Sequence, residues 1–352
     1  MKAYFKPYTL DFKNPSGTSR GILRQKKTYF IIIEDDENFG IGEAALFEGL
    51  SYDDKPDYER QLQWVCEHIH LDKKQLLQEL KDYPSIQFGL ETAMLSFESR
   101  NTYELFPSEF TSGKDDIKIN GLIWMGEKSF MKAQIQDKIE QGFSCVKMKI
   151  GAIDFEEELN LLKYIRKEFS AKDIELRVDA NGAFSPKQAL DKLKRLSEYN
   201  LHSIEQPIQQ GQWSDMAKLC KASPLPIALD EELIGLIDVT KRNKMLLTIQ
   251  PQYIILKPAL VGGLIESKKW IGMANALNIR SWITSALESN IGLNAIAQFT
   301  YTLNSKMPQG LGTGSLFNNN IESPLEVIGE NLSYNIEKNW NTIDKLTSKH
   351  NS

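Results

Sequence analysis

The chain has 352 residues, of which 41% are hydrophobic and 25% charged, with a net charge of −5. That is ample length for a sizeable core in one large or two ordinary domains, and the mildly acidic balance lacks the basic footprint of a nucleic-acid or anionic-membrane binder. No run of about 18 apolar residues spans a membrane and the N-terminus lacks a secretory apolar stretch; the three scattered cysteines, Cys66, Cys145 and Cys220, suit a reducing cytoplasm better than a disulfide framework.

Residues 1 to about 50 read as strands, with the β-rich "TYFIIIEDD" followed by turn residues and "ENFGIGEAALF". Three helical stretches follow between 55 and 100, so the first hundred residues form an α+β unit and not a βαβ unit. From about 115, short apolar runs alternate with amphipathic helices. The runs are "DIKINGLIW", "CVKMKIG", "ELRVDAN", "HSIEQP", "PIALDEE", "YIILKPA" and "IRSWITSALES". Their polar ends, Asn120, Lys149, Asp179, Glu205, Asp230, Lys257 and Ser285, are 25 to 30 residues apart, the length of a strand, a helix and two short loops. With "PQGLGTGSLF" as an eighth run, the pattern predicts an α/β fold of the (β/α)8 barrel type, in which strand-end groups converge on one mouth. After about residue 320 the pattern stops, and the tail is expected to return to the first unit or lie on the surface.

Three carboxylates end three successive strands: Asp179, Glu205 and Asp230. Three converging anions repel unless a cation lies between them. Oxygen ligands without His or Cys favour a hard ion, Mg2+ before Mn2+. By strand alternation Glu231 is expected to face away, with Glu232 in the loop. Lys147 and Lys149 share one face of the preceding strand, and Lys257 flanks the acids from the other side. A lysine beside another cation can act as a general base, so Lys149 is the expected base, with Lys147 lowering its basicity and holding a substrate carboxylate. Two lysines around a metal suit removal of a proton alpha to a carboxylate, which makes a small-molecule carboxylate the expected substrate.

Taken together, "VKMKIG", "VDANGAF", "IEQP", "ALDEE", "LKPALVGG" and "SALESNIGL", with "GIGEAA" near the start, resemble the enolase superfamily and its muconate-lactonizing-enzyme-like subgroup over nearly the whole chain. The resemblance implies a modified (β/α)8 barrel at 111–319 with an α+β capping domain at 1–110, completed by 320–352. It implies Mg2+ on Asp179, Glu205 and Asp230, with Asn181 supporting that shell. Lys149 becomes the acid/base, and Lys257 a second acid/base or an electrostatic partner on the opposite face. Ser285 and Glu288 are implied substrate contacts, and Asn120 joins them at the first run. The segment "SGTSRGILRQKK", 16–27, matches the lid of the capping domain, with Thr18, Ser19 and Arg20 as its contacts. "KINGLIW" and "PSGTSRG" are similar to the branch that dehydrates a cyclohexadiene carboxylate in menaquinone biosynthesis. Racemization of an N-acylamino acid or a dipeptide is the alternative. Dipeptide epimerases of the subgroup often carry Asp-x-Asp where this chain has "GLGTGS", which argues against a dipeptide.

Overall fold

The N-terminal strands are held by apolar packing on both faces. In the computed structural model, which describes residues 1–18, 21–124 and 126–341, β1 (Lys2–Thr18), β2 (Gly21–Glu34) and β3 (Phe39–Ala44) form an antiparallel sheet in that order. Ile31 and Ile33 of β2 pack with Leu62 and Leu90, while Phe30 and Ile32 pack on the other side with Ile291 and Ile321. Burial on both faces explains the unbroken "FIII", since a half-solvated strand would alternate. Three helices follow: α1 (Tyr58–Glu67), α2 (Lys73–Glu79) and α3 (Pro84–Glu98). Helix α3 lies so close to β3 that a Cβ on Gly42 would stand 2.1 Å from the Gly89 carbonyl oxygen. Only glycine permits that approach.

The next segment alternates strands and helices. In chain order these are β4 (Ile117–Lys118), β5 (Gly121–Ile123), α4 (Lys128–Glu140), β6 (Cys145–Lys149), α5 (Phe155–Glu168), β7 (Glu175–Asp179), α6 (Pro186–Ser197) and β8 (Ser203–Glu205). Then come α7 (Trp213–Ala222), β9 (Ile227–Leu229), α8 (Val239–Ile249), β10 (Tyr253–Leu256), α9 (Pro258–Val261), α10 (Gly263–Ala276), β11 (Arg280–Ile283) and α11 (Asn290–Thr302). Strands β5 to β11 form one curled parallel sheet in sequence order. Local chemistry sets the helix starts. Asp154 accepts from the N–H groups of Glu156 and Glu157 to open α5, and Asp238 accepts from Lys241 to open α8. Among the described residues no helix is long and apolar enough to cross a membrane.

Two runs differ from expectation. "PQGLGTGSLF" forms no ladder strand; it makes single bridges from Gln309 to Ile119 and from Gly310 to Thr284, at opposite edges of the sheet. Asn120 donates to Gln309 O at 3.0 Å and Ser285 donates to Gly310 O at 3.0 Å. Pro308 has no N–H for a ladder, and a Cβ on Gly310 would meet Thr284 Oγ1 at 2.1 Å, so the contact stays short. The first run splits: β4 leaves the parallel sheet to pair antiparallel with β13 (Asn331–Tyr334), which pairs with β12 (Leu325–Ile328). Only 121–123 remain in the parallel sheet. Just before the tail, Asn318 donates to Asp11 O and Asp11 donates to Asn319 Oδ1, both at 2.8 Å, and Ile321 at its start packs with Phe30 and Ile32.

Two buried glutamates tie the N-terminal unit to helices of the parallel sheet. Glu43 on β3 accepts from Ser289 N at 3.0 Å and Gly292 N at 2.9 Å, capping α11. Glu91 on α3 accepts from Leu264 N at 2.7 Å and Ile265 N at 3.1 Å, capping α10. Anionic side chains suit helix N-termini, where amide N–H groups lack partners. Replacing Glu43 with Leu is expected to lower the unfolding free energy in urea by about 3 kcal/mol, because buried donors lose their acceptor. Burial pushes the Glu91 carboxyl up to about 7 from 4.5. The folded chain then keeps a proton that the unfolded chain has lost, so stability falls as pH rises from about 4.5 to about 7 and is level above. Glu91→Gln, which still accepts both N–H groups, is expected to flatten that part of a stability–pH curve measured by urea unfolding.

Candidate active site at the strand ends

The register of the parallel sheet decides which side chains meet. Lys149 is level with Asp179, and Asp179 with Glu205, on the same face as Lys147. Asp230 follows β9, and Lys257 follows β10 as the residue before α9. The residues Asp179, Glu205 and Asp230 are all at most 2% exposed.

Each acid is met by a lysine. Lys147 Nζ lies 2.6 Å from Glu205 Oε2 and 3.1 Å from Asp179 Oδ2. Lys149 Nζ lies 3.1 Å from the same Asp179 oxygen and donates to Asn181 Oδ1 at 2.7 Å. Lys257 Nζ pairs with Asp230. Burial opposes the charge on Lys147, but the carboxylates of Asp179 and Glu205 outweigh it and raise its pKa; Lys257 is raised likewise against burial by Asp230 and Glu205. Burial also opposes charge on Asp179, yet Lys147, Lys149 and Lys257 hold its pKa low. Glu205 goes the other way, pushed up by burial and by the neighbouring Asp179.

Several expectations need correction. Glu231 does not face away: Asp230 begins a 3₁₀ turn over Glu231–Leu233, which breaks strand alternation. The side chain is 3% exposed, lines the cavity and accepts from Asn181 Nδ2 at 2.9 Å. Lys147 holds two protein carboxylates, so its ammonium is already committed. Asn120 lines the same cavity as Lys147 and Lys149, but not from the C-terminal end of its strand. Gly121 pairs with Val146, which leaves Asn120 level with Cys145 at the opposite end of the strand. The residue level with Lys149 is Trp124, one step beyond the pair Ile123 and Met148. Its backbone is clamped by Gln134 of α4, which accepts from Trp124 N at 2.9 Å and donates to Trp124 O at 3.1 Å.

The loop after β11 is braced from within. Glu288 Oε2 accepts from Ser285 Oγ at 2.6 Å and Ala286 N at 2.7 Å. Glu288 therefore serves its own loop, while Ser285 reaches the cavity. Leu287 has φ of +63, and its carbonyl accepts from Lys26 Nζ of β2 at 2.9 Å. Ser19 and Arg20 lie outside the described residues, and Thr18 is described by its backbone pairing with Gly21.

The cavity has a volume of about 690 Å3 and brings Lys147, Lys149, Asp179, Asn181, Glu231 and Lys257 together with apolar walls from Phe47, Leu50, Trp124, Trp282 and Leu287. Sequence reasoning turned Glu231 the wrong way, named the segment 16–27 without singling out Lys26, and missed both tryptophans. Trp282 was legible as the inward residue of "RSWI"; Lys26 carried no signal because its partner is a carbonyl.

The donor set suits a hard divalent cation. Glu205 Oε1 and Glu231 Oε2 are buried with no hydrogen-bond partner among the described residues. Among those residues no three His, Cys, Asp or Glu side chains converge on one point as they stand, because lysine ammonium groups lie between the acids. Four buried acids face three lysines, so the cluster is short of positive charge. Asp179, Glu205 and Asp230 supply only oxygen donors, as Mg2+ requires.

Comparison with known proteins agrees with this geometry. Residues 131–329 match the enolase C-terminal domain-like family. The o-succinylbenzoate synthase of Desulfotalea psychrophila is 47% identical over 94% of this chain and 98% of its own. The crystal structure of MenC from the same organism superposes with a TM-score of 0.84 at 44% identity, covering 95% of this chain and 99% of that one. The L-Ala-D/L-Glu epimerase of Bacillus subtilis shares the fold, with a TM-score of 0.81 at 19% identity over 95% and 96% of the two chains. Seven consecutive parallel strands, acids at the ends of three of them and flanking lysines thus have a common origin: this chain belongs to the enolase C-terminal domain-like family.

Proposed function

We propose that this chain is a Mg2+-dependent o-succinylbenzoate synthase that dehydrates the hydroxycyclohexadiene carboxylate SHCHC to o-succinylbenzoate in the cytoplasm, as a step of menaquinone biosynthesis. The observation that carries the reading is the pairing of Lys149 and Lys257 across a buried acid cluster in a chain 47% identical to a synthase of that name. In this reading the bridges of residues 309–310 to both sheet edges close a modified (β/α)8 barrel, residues 111–319. Residues 1–110 with 320–352 form the capping domain. The "GLGTGS" segment lines the cavity through Gly310 and Gly312 to Ser315 without an acid, which fits a substrate that bears no ammonium group.

Asp179, Glu205 and Asp230 would hold Mg2+, with Asn181 in support. The ion would supply positive charge to the anionic oxygens of the substrate. With Lys149 neutral, the ion, Lys147 and Lys257 supply four positive charges against four acids, so the acids no longer repel a substrate carboxylate. Neutral Lys149 takes the alpha proton, and the electron pair of that C–H bond moves toward the carboxylate. The same lysine, now an ammonium, gives the proton to the departing hydroxyl, so water leaves and the ring becomes aromatic. Lys257, on the other side of the acids, places a cation near the ring. Trp124, Trp282 and Leu287 exclude water from it.

Purified protein with SHCHC and Mg2+ is expected to lose the diene absorbance, and chelation of the metal to stop the reaction; no turnover above background overturns the reading. Solvent deuterium entering the alpha position of an N-acylamino acid, with no SHCHC turnover, would point to a racemase instead. Lys149→Ala is expected to lower kcat by about 1,000-fold or more while far-UV circular dichroism stays unchanged, because one group makes both proton transfers.

A further inference from the structure

We propose that Glu231 is a positioning residue: it fixes the orientation of the Asn181 amide and, through that amide, aims the Lys149 nitrogen at the cavity. The inference rests on the reading of Lys149 as the acid/base. Three observations carry it. Asn181 Oδ1 accepts from Lys149 Nζ at 2.7 Å, and Asn181 Nδ2 donates to Glu231 Oε1 at 2.9 Å. The Asn181 backbone is pinned, with φ of +43 and its N–H donating to Asp179 Oδ1 at 3.0 Å. Glu231 itself is 3% exposed and held on the turn that follows Asp230.

An amide has two unlike ends. Its oxygen only accepts and its nitrogen only donates. The Glu231 carboxylate only accepts, so it fixes the amide nitrogen at its end and the amide oxygen toward Lys149; the flipped amide would set oxygen against oxygen. Asparagine tolerates the left-handed backbone better than most residues, so the pinned position and the amide are both available. The lysine nitrogen is tetrahedral, with three positions besides its carbon. Asn181 and Asp179 take two of them. The third is left for the proton in transfer, so the direction of that proton depends on both anchors. The loops after β7 and β9, two strands apart, are thereby joined by the chain Lys149–Asn181–Glu231.

The test combines kinetics with a structure. Glu231→Leu, in the presence of SHCHC and Mg2+, is expected to lower kcat about 10- to 100-fold, the range for one hydrogen bond to a charged group, with KM changed less than about threefold. Glu231→Gln, whose carbonyl can still accept from Asn181, is expected to stay within about threefold of the parent. In an Asn181→Asp background, where the side chain offers Lys149 only acceptors, Glu231→Leu is expected to cost nothing further or to restore activity. A Glu231→Leu protein that matches the parent overturns the proposal. So does an equal loss in both backgrounds, or a loss that follows weakened Mg2+ binding measured by calorimetry. Crystal structures of the parent and Glu231→Leu separate this from failure of the function itself. If the Lys149–Asn181 contact is broken in the variant the proposal stands whatever the substrate; if the contact is kept, it falls.

Discussion

The burial of four carboxylates at the ends of three adjacent strands is the constraint around which the molecule is organised. Isolated, each would be costly to keep charged away from water. Lys147, bridging Asp179 and Glu205, and Lys257, paired with Asp230, make the cluster tolerable without a bound ion. The compensation is incomplete: one oxygen each of Glu205 and Glu231 has no partner among the described residues. A cluster short of positive charge is a poor structural device and a good receptor for a cation. Strain that would destabilise an ordinary core becomes binding free energy at a functional site.

The same economy appears where the two units meet. Glu43 and Glu91 are buried acids that meet no basic side chain in hydrogen-bond contact among the described residues; the N-termini of α11 and α10 neutralise them. Each contact fixes the N-terminal unit against a helix that follows a cavity-lining segment. Lys26 adds a third tie, from β2 to the carbonyl of Leu287 in the loop lining the cavity. The N-terminal unit is thus docked on the loops that shape the cavity and does not merely lie beside them. Phe47 and Leu50, in the segment after β3, reach the cavity from that platform.

Glycines and one proline set the finer geometry. The eighth run is reduced to isolated bridges because Pro308 cannot donate and Gly310 lets Thr284 come close. That leaves the 309–310 segment touching both edges of the sheet while the residues after it face the cavity. The arrangement lets a short segment touch both sheet edges and wall the cavity at once.

The sequence by itself determined the alternation of strands and helices and the acids and lysines at their ends. Both follow from periodicity and spacing, which are properties of a single strand or helix: Lys147 and Lys149 share a face because side chains alternate, wherever the strand lies. What only the tertiary structure decided depends on register and on turns. Strand pairing moved the end of the first run from Asn120 to Trp124, a 3₁₀ turn swung Glu231 inward, and Glu288 turned into its own loop. Lys26 and Glu43 found partners 261 and 246 residues away in sequence. Such contacts join backbone groups, which every residue has, so no pattern of residue types announces them.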